Sequence, residues 1–205
     1  VTDAALMDER RDTLLAAVTC TRGQFGLASL DLARGAIALT ELPSTKALAA
    51  ELERLQPAEL LVSEDEVPPG IDPHRAGLRK LAPWHFEIES GRLALHKQLG
   101  TRDLRGFGCD ALTLALGAAG ALLGYARETQ RAALPQVRHL SHQSTDSAIA
   151  IDASSRRNLE LDTTLGGDPA HALLGVLDEA VTPMGSRRLR RWIHRPLRDL
   201  GTVES

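Results

Sequence analysis

Between Asp110 and Arg127 runs Ala111 to Ala126, 16 residues without a charge and the most apolar stretch of the chain. A bilayer span needs roughly 20 apolar residues, so this run is too short to cross a membrane and must be buried in protein as a long helix. Asp110 is suited to cap it, and about six turns carry it to roughly Arg131. Gly117, Gly120 and Gly124 interrupt it. Each costs roughly 1 kcal/mol of helix propensity against alanine, so packing must compensate. Three small residues thin one side of the helix, where a second helix can come close. The chain has the apolar content for such a core: 43% of its 205 residues are hydrophobic, and only six are aromatic. The core is therefore mostly Leu, Ala and Val.

Upstream, the pattern is that of short strands. Thr13 to Cys20 is apolar throughout, and Gln24 to Asp31 and Ala36 to Leu42 come next with alternating apolar positions. The links Thr21-Arg22-Gly23 and Leu32-Ala33-Arg34-Gly35 are short and contain glycine, as between antiparallel neighbours. Ser44 or Thr45 can cap a helix to Leu55, stopped by Pro57, with Leu48, Leu52 and Leu55 on one face. Glu59 to Ser63 reads as a buried fourth strand. A short helix is expected around Arg75 to Leu81, a fifth strand at Trp84 to Ile88 with Trp84 and Phe86 in the core, and another helix over Glu89 to Leu99. A meander followed by helix and strand makes a mixed α/β domain. Gly100 to Gly108 holds three glycines and reads as a hinge between domains. Beyond it the pattern is helical apart from a short strand over Ser147 to Asp152: Asp152 or Ser154 opens one helix, His171 to Leu177 forms another, and Pro183 to Arg195, capped by Thr182, forms the last. Residues 3–11 read as a charged helix or tail.

Charge and motif content narrow the function. The net charge is −3, so the chain as a whole is no electrostatic trap for nucleic acid. Six arginines nevertheless gather between Arg187 and Arg198. Arg187, Arg191 and Arg198 fall on or near one helix face and are the candidate phosphate contacts; the competing reading pairs the arginines with nearby acids such as Asp178, Glu179 and Asp199. Two cysteines, Cys20 and Cys109, make neither a disulfide framework nor a zinc site, and the histidines show no ligand spacing. No glycine precedes a lysine, so the phosphate-cradling Gly-x-x-x-x-Gly-Lys-Ser/Thr loop is absent. The first strand offers Thr19 and Cys20 where a two-metal nuclease needs a carboxylate. No catalytic, cofactor-binding or metal-ligating residue is assigned, and the chain is expected not to be an enzyme by itself.

Several ordered blocks resemble one family. Thr182-Pro183-Met184-Gly185-Ser186-Arg187-Arg188-Leu189-Arg190-Arg191-Trp192, with Val176-Leu177-Asp178 before it and Arg195-Pro196-Leu197-Arg198-Asp199 after it, is similar to the core domain of the MutS mismatch-recognition family. Ile151 to Leu161 resembles a second core block. Leu99 to Leu104 with Gly106-Phe107-Gly108 resembles the connector–core junction, and Trp84-His85-Phe86-Glu87-Ile88 resembles connector sequence, with His85 where an acidic residue is usual. Asp8 to Asp12 resembles the segment just before the connector.

The resemblance implies an α/β connector with an RNase H-like fold over residues 1–106, including a short lead-in, and an all-α partial core, or lever, domain over 107–205. The missing initial Met and abrupt end then read as an internal piece. The mismatch-reading, clamping and ATPase segments of the family have no counterpart here; ATP and magnesium belong to the full-length parent. The family further implies recruitment of MutL, contact with mismatched duplex DNA through other domains, a homodimeric parent and a cytoplasmic setting. The expected MutL-facing surface is the Glu89 to Leu99 helix, through Arg92, His96 and Lys97. Two other readings stand beside it: a free-standing nucleic-acid-binding module using the Arg-rich helix, and a divergent RNase H-like nuclease.

Overall fold

The computed structural model describes residues 13–131 and 133–199; the charged segment expected over residues 3–11 lies outside them. The chain divides into two compact units, one spanning Thr13–Ser144 and the other including the residues from Thr145 onward.

The first unit is built on a six-stranded mixed sheet. β1 (Leu14–Thr21), β2 (Gln24–Asp31) and β3 (Ala36–Leu42) form the expected antiparallel meander. Thr21 pairs with Gln24, so the first turn is the two-residue Arg22-Gly23. Both have positive φ, 53° and 78°, the geometry that matches strand twist. α1 (Thr45–Leu55) starts at Ser44, whose Oγ accepts the Ala47 N–H. It leads to β4 (Glu59–Ser63), which lies parallel to β1. β5 (Leu78–Leu81) adds parallel to β4, and β6 (His139–His142) adds parallel to β3, giving the order β5-β4-β1-β2-β3-β6.

Side-chain alternation sends the strands' residues to two faces. Ala16, Val18, Phe25, Leu27, Leu60 and Val62 pack with Leu48 and Leu52 of α1. Ala17, Ala28, Leu30, Leu39 and Leu61 pack under α2 (Ile88–Leu99) and α3 (Thr113–Gln130). Leu95, Leu116 and Leu122 are fully buried there, each contributing about 1.5–3 kcal/mol relative to exposure.

Glycines set how closely this face can pack. A Cβ on Gly120 would lie 2.6 Å from Gly91 Cα, one on Gly117 would lie 2.3 Å from the Phe86 carbonyl oxygen, and one on Gly26 would lie 2.2 Å from Leu114 C. Helix α3 therefore touches α2 and β2 almost backbone to backbone. Gly124 has nothing within 4 Å.

Five sequence expectations are corrected. The domain break does not fall at residue 106/107: α3 and β6 lie inside the sheet unit, and residues 100–108 merely join α2 to α3. The apolar helix has its burial partner in the preceding sheet, so it cannot belong to the C-terminal helical unit. The helix expected over Arg75–Leu81 gives way to strand β5 (Leu78–Leu81), and the strand expected at Trp84–Ile88 gives way to a 3-10 turn over Pro83–Phe86 and the start of α2. Pro83 opens that turn, and Trp84 is 71% exposed rather than core. Asp110 does not cap α3; its N-cap position is Leu112, which makes no side-chain cap. Finally, Ser147–Asp152 forms no strand, only the isolated bridge Ala148↔Leu197.

In the second unit the described residues form α4 (Ala153–Asn158), α5 (Leu173–Leu177) and α6 (Pro183–His194). Asp152 accepts from Ser155 N and Thr182 Oγ1 from Gly185 N, so both caps read from sequence are in place. The core here is slight. Among the described residues only Leu161 and Ala172 are buried hydrophobics, while Leu165, Val176, Val181, Met184 and Trp192 are exposed.

Candidate functional site

On α2 the three expected partner-facing residues part company. Lys97 is exposed. Arg92 is only 24% exposed at its side chain and folds back onto the turn before α3. Its Nη1 donates to the Asp110 carbonyl oxygen at 3.3 Å and lies 3.6 Å from the Asp110 carboxylate, with Glu89 3.7 Å from Nε. His96 is half-buried, and its Nε2 is shielded without a hydrogen-bond partner. The helix is set by Leu95, which faces the sheet and is fully buried; the opposite stripe is therefore Glu89, Leu93 and Lys97, at spacings of four. Leu93 is 66% exposed, and no motif in the sequence marks it as a surface residue.

The α3 N-terminus is held from a distance. Glu41 Oε1, on β3, accepts from Leu114 N at 2.8 Å and Ala115 N at 3.4 Å, supplying the cap that the local sequence lacks. Thr19 Oγ1 donates to the Leu114 carbonyl at 2.9 Å. On β1, then, the Thr19 hydroxyl is engaged in anchoring α3. No group of three or more His, Cys, Asp or Glu side chains among the described residues is arranged to hold a metal ion. Cys109 is fully buried, and burial pushes its thiol up to about 11.

In the second unit, α6 turns part of its basic stripe inward. Asp162 Oδ1 lies 2.5 Å from Arg190 Nη2 and 2.9 Å from His194 Nε2. Arg156 Nη1 lies 2.7 Å from His194 Nδ1. An arginine can only donate, so Nδ1 accepts and the ring proton sits on Nε2, directed at Asp162. This chain of contacts ties α4 to α6. Asp178 Oδ1 accepts from both Ala180 N and Ser186 Oγ, fixing the start of the same helix. Of the three candidate phosphate contacts, Arg187 and Arg191 are half-buried and already engaged, and Arg198 is exposed. Arg188 stacks over Trp192 at 4.8 Å from the ring centroid. The three candidates thus do not form one open basic face, and the carboxylate that α6 meets through Arg190 is Asp162.

Comparison with known families matches this architecture. Residues 13–140 match MutS domain II, and residues 154–205 match MutS domain III. The first match ends within β6, so it takes in α3 and β1 to β5 and reaches the sixth strand, close to the boundary drawn by packing. No helix of the described residues is long and apolar enough to cross a membrane. With a sheet unit and a helical segment matching two successive MutS domains in order, the chain belongs to the MutS family of DNA mismatch-repair proteins.

Proposed function

We propose that this chain acts as a non-catalytic connector and core segment of a MutS-type mismatch-repair ATPase, carrying conformational changes between DNA-binding and ATPase regions and offering a surface to MutL. The observation that carries this reading is the succession of MutS domains II and III on one chain, with a closely packed sheet domain as the first. The strand order, a three-strand antiparallel meander continued by a parallel β4 beside β1, supports an RNase H-like connector. Thr19 in its anchoring role, and not a carboxylate, on β1 speaks against the nuclease alternative. The engaged arginines of α6 lend the free-standing DNA-binding alternative no support. ATP and magnesium, mismatched duplex, homodimerisation and the cytoplasmic setting belong, on this reading, to the full parent protein.

For the MutL contact, the outward stripe of α2 is the favoured surface, with Lys97 retained and Leu93 taking the place of the inward-tied Arg92 and His96. The test is surface-immobilised MutL titrated with the chain and with a Leu93→Glu/Lys97→Glu variant. A loss of about tenfold or more in affinity, with an unchanged circular dichroism spectrum, is expected. Unchanged affinity in the variant clears this helix; no binding or crosslinking by the native chain removes the partner reading itself.

A further inference from the structure

Each edge of the sheet ends in a four-residue strand, β5 on one side and β6 on the other. β6 has four residues, lies at an edge, and buries one side chain, Leu140. The turn leading into it is strained. Arg131 and Leu134 have φ of 49° and 54°, a left-handed conformation that costs non-glycine residues energy, and Leu134 precedes Pro135, where extended backbone is preferred. This turn also presses on the β2–β3 link: a Cβ on Gly35 would lie 1.8 Å from the Gln136 carbonyl oxygen.

Two side-chain catches hold the segment, one from each face of the sheet. From α2, Gln98 Nε2 donates to the carbonyls of Leu134 and Val137 at 2.9 and 3.1 Å, while its Oε1 accepts from Arg127 Nη2 of α3 at 2.8 Å. From α1, Arg54 Nη2 donates to Gln143 Oε1 at 3.2 Å. Arg54 is 9% exposed at its side chain and is set for this by a two-nitrogen pairing with Glu51. Buried Leu134, Val137 and Leu140 keep the segment closed at rest. All three belong to the core cluster under α2 and α3, and they are the segment's only buried side chains in it.

We propose that Leu134–Gln143 is a latch, a strand-bearing clip that opens as one unit while β1 to β5 stay folded, with Gln98 and the Arg54–Gln143 pair as its catches. Opening frees backbone acceptors on β3 and the preceding link, among them the Gly35 and Leu39 carbonyls that receive His139 N and Gln143 N. It also lengthens the tether leading to the C-terminal helices by up to about 30 Å, at roughly 3.3 Å per extended residue. The sheet domain thereby gains reach without unfolding. The latch rests on these hydrogen bonds and on packing, and does not depend on the MutL reading.

Native-state hydrogen exchange on the whole chain tests it. The His139 and Gln143 amides should exchange through an opening with little urea dependence, well ahead of the β1 amides Ala17 and Val18. Gln98→Glu keeps an acceptor for Arg127 but turns a carboxylate oxygen on two carbonyls; Gln143→Ala releases the other catch from the half-buried end. Each should speed β6 exchange by about five- to tenfold and leave β1 and β2 unchanged. The latch is overturned if β6 and β1 amides share one rate and one urea dependence, or if Gln143→Ala speeds all amides alike.

Discussion

Replacing Gly120 by alanine and, separately, Gly124 by alanine makes one chemical change twice on α3, four residues apart, with opposite expected signs. Either change gains about 1 kcal/mol of helix propensity. At Gly124 the new methyl meets nothing within 4 Å, so the gain should survive as a net stabilisation of about 0.5–1 kcal/mol. At Gly120 the methyl would lie 2.6 Å from Gly91 Cα and 3.1 Å from Gly91 N. Carbon atoms pack at about 3.5–4.0 Å, so α2 must retreat by roughly 1 Å along a backbone that has no rotamer to yield. Overpacking of this kind costs about 1–3 kcal/mol and here bears on two helices at once, which leaves a net loss of about 1–2 kcal/mol. The variants should therefore differ by roughly 2–3 kcal/mol, a separation of about 1 M or more in urea midpoint at typical slopes. Urea titration followed by circular dichroism reads this directly. If Gly120→Ala is as stable as Gly124→Ala, the two helices are not in backbone contact and the packing described for α2 and α3 is wrong.

Limited proteolysis should leave a core close to residues 13–144, because Thr145 onward buries little apolar surface; preferential survival of the C-terminal region would contradict that. At about pH 8 a thiol reagent should reach Cys109 only after denaturation, and stability should decline as pH rises above about 9, since the unfolded thiol ionises first while the folded one stays protonated until about 11. Labelling of Cys109 in the native protein, or a flat urea midpoint across that range, would refute the burial. Duplex DNA should bind weakly near physiological salt, without preference for a mismatch, because α6 directs Arg190 to Asp162; a nanomolar, mismatch-selective complex in a mobility-shift titration would reverse this.

Much of this protein is written locally. The hairpin turn at Arg22-Gly23, the Ser44, Asp152 and Thr182 caps, and the helix from Pro183 each depend on a few consecutive residues, and each is legible in the sequence alone. So is the need for a close neighbour beside a helix dotted with glycine, as are the ordered blocks that resemble MutS. Local reading fails where two conformations are close in preference. Leu78-Arg79-Lys80-Leu81 has helix-forming residues but lies beside β4, whose backbone groups recruit it as a strand, and Pro83 turns the next residues away and exposes Trp84.

The sequence by itself determined the meander, α1, β4, α2 and α6, the Ser44, Asp152 and Thr182 caps, and the family. Tertiary structure alone decided which domain owns the apolar helix, because ownership depends on the partner of the buried face, and that partner is a sheet begun about a hundred residues earlier. It alone placed Glu41 on the α3 N-terminus, turned Arg92 and Arg190 inward, and added β6 to the edge of β3. These are contacts between residues far apart in sequence, and no local propensity or periodicity carries their signal.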